Sequence, residues 1–123
     1  LLFRTVHVVH HRSKTPTVLS ALSLHPVEAL LIAGFLPLAM ASVELHLASI
    51  ALASLYLSVS IAVAHCGYRI FPRGFERLPL LNLYVTPLVH DAHHAKVDVN
   101  YGATLSLFDR ALGTFRLPEE RPP

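Results

Sequence analysis

The sequence predicts an all-α integral membrane protein: a transmembrane helical hairpin with a cytosolic, histidine-rich helical cap. Three observations lead to this fold class. The chain is 53% apolar and only 15% charged, whereas about one quarter of the residues of a soluble domain are charged. Residues 27–64 form one long, nearly uncharged stretch. Two histidine clusters with the same spacing flank that stretch. A single site formed by both clusters requires the two ends of the stretch to lie on the same side of the membrane.

The apolar stretch is too long for one membrane crossing. As a single helix, residues 27–64 would extend about 57 Å at about 1.5 Å per residue. A bilayer core of about 30 Å needs only about 20 residues. The sequence therefore predicts two helices at residues 26–40 and 45–64, joined by a turn at residues 41–44. Pro37 is expected to end or kink the first helix because it removes a backbone donor and clashes with the preceding turn.

The charge distribution predicts the orientation of this hairpin. All ten lysines and arginines lie outside residues 26–64. By the positive-inside rule, both flanks face the cytosol and the turn with Glu44 faces the other side. Residues 65–117 then form the cytosolic cap, and the polar residues 118–123 are predicted to be a disordered tail. The net charge of +2, without a cluster of basic residues, argues against nucleic-acid binding.

Seven of the nine histidines have the spacing of metal ligands. The pattern H-x-x-H-H occurs once before the apolar stretch and once near the end of the chain, and a further histidine follows the second predicted helix. On a helix, residues three and four apart project from one face. Imidazole suits Fe, Zn, Cu and Ni, and seven ligands exceed the four of a structural zinc site. The sequence therefore predicts two metal ions that share His7, His10, His11, His65, His90, His93 and His94.

The other two histidines are predicted to have structural roles. His25 precedes Pro26 and Glu28, a proline at the first helical position and an acidic residue in the first turn, which favour the start of a helix. His46 lies near the far end of the hairpin and is expected at the membrane interface. Metal-bound histidines usually donate their second ring N–H to a carboxylate or a carbonyl. Candidates for that role near the last histidine cluster are Asp91, Asp98, Asn100 and Asp109.

These motifs resemble those of the fatty acid hydroxylase / sterol desaturase superfamily, a group of integral-membrane, histidine-rich di-iron oxygenases. The resemblance extends from Arg4 to Phe115. Beside the two histidine clusters it rests on His25-Pro26-Val27-Glu28, His65-Cys66-Gly67-Tyr68, Asn100-Tyr101-Gly102 and the run from Phe108 to Thr114.

The resemblance implies that residues 1–117 form a fatty acid hydroxylase-type catalytic region. It implies two non-haem iron ions held by the seven histidines, with O2 as co-substrate and electrons from a separate donor protein. The expected reaction is hydroxylation or desaturation of a C–H bond in a membrane lipid of sterol or fatty-acyl type. The expected location is the cytosolic face of the endoplasmic reticulum or of a bacterial inner membrane.

The sequence departs from the family pattern in one respect. The family begins with a further histidine pair on a transmembrane helix, and Leu1 follows the place where that pair would lie. The chain is therefore expected to be the C-terminal part of a longer four-helix membrane domain. Two other functions stay open at this point. One is a truncated or divergent, non-catalytic membrane protein that binds metal or lipid. The other is a zinc-dependent membrane hydrolase, for which the sequence shows no convincing general base beside the histidines.

Overall fold

The computed structural model describes residues 2–117, so the predicted tail at residues 118–123 lies outside the described residues. Within this range the chain is helical and contains no β-strand. The α-helices are α1 (Leu2–Thr5), α2 (Pro26–Ser42), α3 (Leu47–Ala64), α4 (Pro87–Ala95) and α5 (Leu107–Leu112). Short 3₁₀ helices lie at His7–Arg12, Val18–Leu22, Phe75–Arg77 and Leu81–Leu83.

The two long helices, α2 and α3, begin with the same capping arrangement. The Nδ1 atom of His25 accepts a hydrogen bond from the N–H of Val27 at 3.2 Å, and Pro26 is the first residue of α2. His46 does the same for the N–H of Ala48 at 3.2 Å. Both side chains satisfy a backbone donor that the first helical turn leaves unpaired. The two histidines outside the predicted metal set therefore cap helices.

The break between α2 and α3 differs from the predicted one. Pro37 lies inside α2, and this helix continues to Ser42. The connection occupies residues 43–46 rather than 41–44, since Val43 is extended and His46 caps the next helix. Proline removes one hydrogen bond of a helix without preventing the following turns from forming. The predicted end of the first helix was therefore wrong by two residues.

Both long helices expose apolar side chains on every side. No residue of α2 is buried, and α3 buries only Ser60 and Ala64 near its C-terminus. Large side chains such as Phe35 and Leu55 are more than half exposed. Among the described residues, α3 is long and apolar enough to cross a membrane, whereas α2 is a shorter apolar helix. A helix that is hydrophobic all round requires an apolar environment, so the predicted all-α, membrane-type fold is supported.

The buried core lies where the end of α3 meets the cap (residues 65–117), mainly at α4 and the loops around it. Ala64, Val85 and Val89 are its fully buried aliphatic side chains, each 1% exposed. The other buried residues are largely polar, and six of them are histidines. Because buried polar groups are costly unless they are paired, the hydrogen bonds of this core determine how the cap is built.

Asn100 joins the end of the described chain to α4. Its side chain is completely buried. Its Nδ2 donates to the carbonyls of Val89 at 3.2 Å and Arg116 at 2.8 Å, and its Oδ1 accepts from the N–H of Arg116 at 2.7 Å. Asn100 also has a positive φ of 51°, a conformation that asparagine tolerates better than most residues. One side chain thus attaches two distant segments to the helix that carries the last histidine cluster.

Asp109 holds the loop between α4 and α5 in a similar way. Its carboxylate accepts from the N–H groups of Tyr101 and Gly102, both at 2.8 Å, and from the hydroxyl of Thr114 at 2.6 Å. Gly102 has no room for a side chain, since a Cβ atom would lie 2.3 Å from the carbonyl oxygen of Leu105. The Asn-Tyr-Gly and Asp-to-Thr motifs therefore form one hydrogen-bonded loop system beneath α4.

Replacing Gly102 with alanine should destabilise the protein, because the new methyl group overlaps the Leu105 carbonyl and lies 3.0 Å from Asp109 Oδ2. We expect a loss of about 1–3 kcal/mol, as for other overpacked sites. Thermal unfolding of the detergent-solubilised chain, followed by far-UV circular dichroism, measures this effect. Gly34→Ala is the matched control: nothing lies within 4 Å of its Cβ position, and alanine should stabilise α2 by up to about 1 kcal/mol. Equal melting temperatures for Gly102→Ala and the unchanged protein would contradict the packing described above.

Candidate metal centre

The structure brings together all seven histidines of the predicted set. Their ring nitrogens form two groups, within each of which the candidate ligand atoms lie no more than 4.8 Å apart. The four-histidine group is His10, His65, His90 and His94, and all four are buried. The three-histidine group is His7, His11 and His93. The rings of His11 and His93 are 4.6 Å apart between centroids, and those of His11 and His94 also 4.6 Å, so the two groups are adjacent.

Each H-x-x-H-H cluster divides between the two groups in the same manner. The first and last histidines of a cluster go to one group and the middle histidine goes to the other. Thus His90 and His94 of α4 join the four-histidine group, while His7 and His11 join the three-histidine group. The middle histidine of each cluster thus serves the other group, although the three rings of α4 remain neighbours, with centroids 4.8 to 6.1 Å apart.

The first cluster also differs from the prediction in its backbone, since His7–Arg12 is a 3₁₀ helix rather than an α-helix. Side chains three residues apart are eclipsed in a 3₁₀ helix, and the rings of His7 and His10 accordingly stack at 5.4 Å with an interplanar angle of 28°. Val8 and Val9 are β-branched, which lowers the preference of this segment for an α-helix.

The ring nitrogens of the four-histidine group face each other directly. The Nε2 atom of His65 lies 3.1 Å from that of His10 and 3.0 Å from that of His90. The Nε2 atoms of His90 and His94 are 3.2 Å apart. In the three-histidine group the Nε2 atoms of His11 and His7 are 2.9 Å apart. The same nitrogen of each of these rings therefore points to the centre of its group.

Backbone carbonyls fix the opposite side of three of these rings. Nδ1 of His65 donates to the carbonyl of Ile61 at 2.9 Å, one turn earlier in α3. Nδ1 of His93 donates to the carbonyl of Val99 at 2.7 Å. His94 donates to the carbonyl of Ser13, just after the first histidine cluster, at 3.0 Å. A proton held on Nδ1 leaves the Nε2 lone pair available for a metal ion.

Burial keeps the rings neutral. Desolvation is the largest cause that lowers the pKa values of six of the histidines. The pKa of His90 falls to about 2, with the neighbouring His65 and His94 as further causes. The pKa values of His11 and His94 fall to about 3 and about 4 for similar reasons. Only a neutral imidazole can bind a metal ion, so this environment selects the form of the ring that ligation requires.

The donor set fits a bound cation. His65 and His94 donate from Nδ1, so their Nε2 atoms are acceptors, and both face Nε2 of His90. Protons on Nε2 of His10 and His90 would also satisfy these contacts, but only as separate pairs of rings. A cation at the centre accepts all four Nε2 lone pairs at once. Borderline metals such as iron and zinc prefer such nitrogen ligands.

A cavity of about 520 Å³ lies against both histidine groups. Its remaining wall is mainly apolar and comes from the 3₁₀ helix Val18–Leu22, from α2 and from the last two turns of α3. Polar lining groups among the described residues include Glu28 and Tyr101. The apolar contributors are Val18, Leu19, Ala21, Leu22, Leu24, Ile32, Ile61, Ala62 and Ala103. The cavity therefore places a mainly apolar surface beside the histidines.

Two of the four predicted partners of the histidine rings have other roles, and a third is exposed. Asn100 and Asp109 bind backbone groups rather than imidazoles, and Asp98 is exposed. Three of the rings use backbone carbonyls as acceptors, which no side-chain pattern reveals. Sequence reasoning also missed Glu28, which accepts a hydrogen bond from Nδ1 of His7 at 2.5 Å. The available signal was an acidic residue at the start of an otherwise apolar helix, and it was interpreted as a favourable charge for the helix dipole.

The metal-free protein should lose stability as the pH falls from 7 to 5. The unfolded chain takes up protons near the ordinary histidine pKa of about 6.5, while the folded chain does so only at lower pH because burial lowers these pKa values. Stability is therefore complete above pH 6.5 and declines below it by about 1.4 kcal/mol per pH unit for each such group. Melting temperatures measured across this range after chelation test the prediction. The change of melting temperature with pH should be the same in the control His46→Ala, whose side chain is exposed. A melting temperature that stays constant between pH 7 and 5 would contradict the prediction.

Comparison with known proteins agrees with this centre. The family described as fatty acid hydroxylase matches residues 1–114. The chain is 38% identical over 120 residues to the very-long-chain aldehyde decarbonylase GL1-1 of Oryza sativa subsp. indica, covering 92% of the chain and 19% of that protein. It is 30% identical over 126 residues to a cholesterol 25-hydroxylase-like protein of Danio rerio, and this match covers 98% of the chain and 44% of that protein.

A third relative is the Delta(7)-sterol 5(6)-desaturase ERG3A of Gibberella zeae, 28% identical over 125 residues, with coverage of 98% of the chain and 32% of the relative. No solved structure matches the chain. The chain thus spans less than half the length of these curated relatives. The family match itself covers nearly the whole chain and includes every histidine of both groups. The chain belongs to the fatty acid hydroxylase family.

Proposed function

We propose that this chain carries the metal centre and part of the lipid site of an O2-dependent hydroxylase or desaturase that acts on a C–H bond of a membrane lipid. The observation that carries the proposal is the position of two histidine groups at the wall of one apolar cavity. The groups provide the ligands of a redox-active metal pair, and the cavity provides access for an alkyl substrate. Neither feature alone distinguishes this function from simple metal or lipid binding.

Two iron ions would be held by the two groups. His10, His65, His90 and His94 would hold one ion, and His7, His11 and His93 would hold the other. Bound iron supplies the reduction of O2 and the oxidation of an unactivated C–H bond, for which amino-acid side chains have no equivalent chemistry. The protein holds the ring protons on Nδ1 of His65, His93 and His94 through backbone carbonyls, which keeps the ligand nitrogens oriented.

The lining of the cavity supports a lipid substrate. Side chains such as Ile32 and Ile61 exclude water and contact an alkyl group without a polar preference. The relatives are named for reactions on very-long-chain aldehydes, cholesterol and other sterols, all of which are largely apolar molecules. A sterol or a long-chain aliphatic lipid is therefore the proposed substrate class.

The membrane and an electron donor complete the proposal. The exposed apolar surfaces of α2 and α3 suit a bilayer, and the basic residues outside these helices favour the cytosolic side for the histidines. The resulting location is the cytosolic face of a multi-pass membrane protein, in the endoplasmic reticulum or a bacterial inner membrane. Since insertion of one oxygen atom from O2 into a C–H bond also forms water, it consumes two electrons and two protons, and a separate redox protein would supply the electrons.

Replacing His93 with alanine should reduce the iron content of the purified protein from about two ions per chain to about one and should abolish lipid oxidation. His93 belongs to the three-histidine group, and the loss of one of three nitrogen ligands leaves too few to retain the ion. Iron is measured by elemental analysis of the detergent-solubilised chain after growth with iron, and oxidation by product analysis with O2 and a reductant.

The control for this experiment is His46→Ala. His46 caps α3 and touches neither group, so its loss should cost about 0.5–2 kcal/mol of stability and leave the iron content unchanged. If His93→Ala retains full iron and full activity, the ligand assignment is wrong. Zinc alone in the unchanged protein, with hydrolysis that needs neither O2 nor reductant, would favour the zinc hydrolase instead. Metal or lipid binding without turnover would favour the non-catalytic alternative.

Filling the cavity should reduce lipid turnover without affecting the metal. Ala62 lies on the cavity wall, and a phenylalanine at this position would occupy space needed by the substrate. We expect turnover of a long-chain or sterol substrate to fall about tenfold or more, which corresponds to an increase of about 1.4 kcal/mol in the activation free energy. The iron content should be unchanged. Leu52→Phe, at an exposed position of the same helix, is the matched control. Equal turnover in both variants would show that the substrate does not use this cavity.

A further inference from the structure

Glu28 is the acidic side chain of the cavity, and it contacts the three-histidine group. Its Oε1 atom accepts the hydrogen bond from Nδ1 of His7 at 2.5 Å. The residue lies in the first turn of α2, so it connects the apolar helix to the 3₁₀ helix that carries the first histidine cluster. Neither oxygen of Glu28 is within either group of converging ligand atoms, which places the carboxylate behind His7.

His7 requires such a contact more than the other histidines do. Its side chain is 36% exposed, whereas the remaining six rings of the two groups are buried. The other rings with a fixed Nδ1 use backbone carbonyls, and His7 uses a side chain that carries negative charge. A carboxylate behind an imidazole strengthens the ring as a ligand and fixes its orientation.

The three-histidine group is also the one with fewer ligands. It offers three ring nitrogens where its neighbour offers four, so one misplaced ring removes a larger share of its donor set. The second oxygen of Glu28, Oε2, is buried without a hydrogen-bond partner. Burying an unpaired carboxylate oxygen is costly, and a nearby cation would offset that cost.

We propose that Glu28 is a positioning residue that orients His7 and thereby controls the metal affinity of the three-histidine group. This inference rests on the proposed function, because it requires that the two groups hold metal. It assigns a role to a residue of the membrane-type helix α2, which contributes no ligand of its own. Loss of the Glu28 carboxylate should therefore weaken the binding of only one of the two metal ions.

The test compares Glu28→Gln and Glu28→Leu, two neutral side chains of similar size, in the full detergent-solubilised chain. Glutamine can still accept the hydrogen bond from His7, and leucine cannot. Fe²⁺ or Co²⁺ is added to the metal-free protein, and the two binding steps are followed by equilibrium dialysis and, for Co²⁺, by its absorption spectrum. The second step is assigned to the three-histidine group, because this group has fewer ligands. We expect Glu28→Leu to weaken the metal affinity of this step about 10–100-fold, as for other outer partners of metal ligands. Glutamine should weaken it less, and the first step should be unchanged in both variants.

Glu76→Gln is the matched control, since Glu76 is a buried carboxylate that contacts Thr86 and Arg69 rather than a histidine. It should not weaken either binding step selectively. If Glu28→Leu binds both metal ions with the affinities of the unchanged protein, the positioning role is overturned and the proposed function stays intact. Equal weakening of both steps in Glu28→Gln would also overturn it, because that result indicates a general structural effect. If the unchanged protein binds neither metal, the proposed function and this inference both fail.

Discussion

The convergence of seven imidazole rings on two points, six of them buried, is the constraint on which the rest of this structure depends. Each ring must present a bare nitrogen to the centre and must place its other nitrogen against an acceptor or in a dry pocket. That demand explains why the core of the cap contains few aliphatic side chains and many hydrogen bonds. It also explains the path of the loops. The carbonyls of Ser13 and Val99 lie where His94 and His93 need acceptors.

The loop system of Asn100 and Asp109 serves the same demand from a greater distance. Asp109 binds the backbone of Tyr101 and Gly102, and Asn100 binds the carbonyl of Val89 in α4. The carbonyl of Val99 immediately precedes this system and holds His93. Family motifs without a histidine thus reach the histidine groups through the position of the backbone. The cavity is built from the opposite side, by residues of α2 and α3 such as Ile32 and Ile61. The centre therefore lies between a polar scaffold and an apolar entrance.

The sequence contained enough information for the helical class and for the set of clustered histidines, because both depend on composition and short spacings. The apolar stretch predicted two helices, whose boundaries differ from the observed ones by two residues at the end of α2 and at the start of α3. The division of each histidine cluster between two groups was not accessible. It depends on how the segment His7–Arg12 lies against α4 in three dimensions. The role of Glu28 was missed because His7 lies 21 residues away in the sequence, and no local pattern links the two.

The order of the ligands along the chain has a consequence for biosynthesis. Both H-x-x-H-H clusters contribute to each group, yet the two apolar helices separate them in sequence. During translation the first cluster leaves the ribosome long before the last one, so neither group can be completed until α2 and α3 have been synthesised and arranged with both clusters on the same side. If the two groups hold metal as proposed, metal loading is then a late event that requires correct assembly. A chain with one apolar helix misplaced would present only partial sets of histidines.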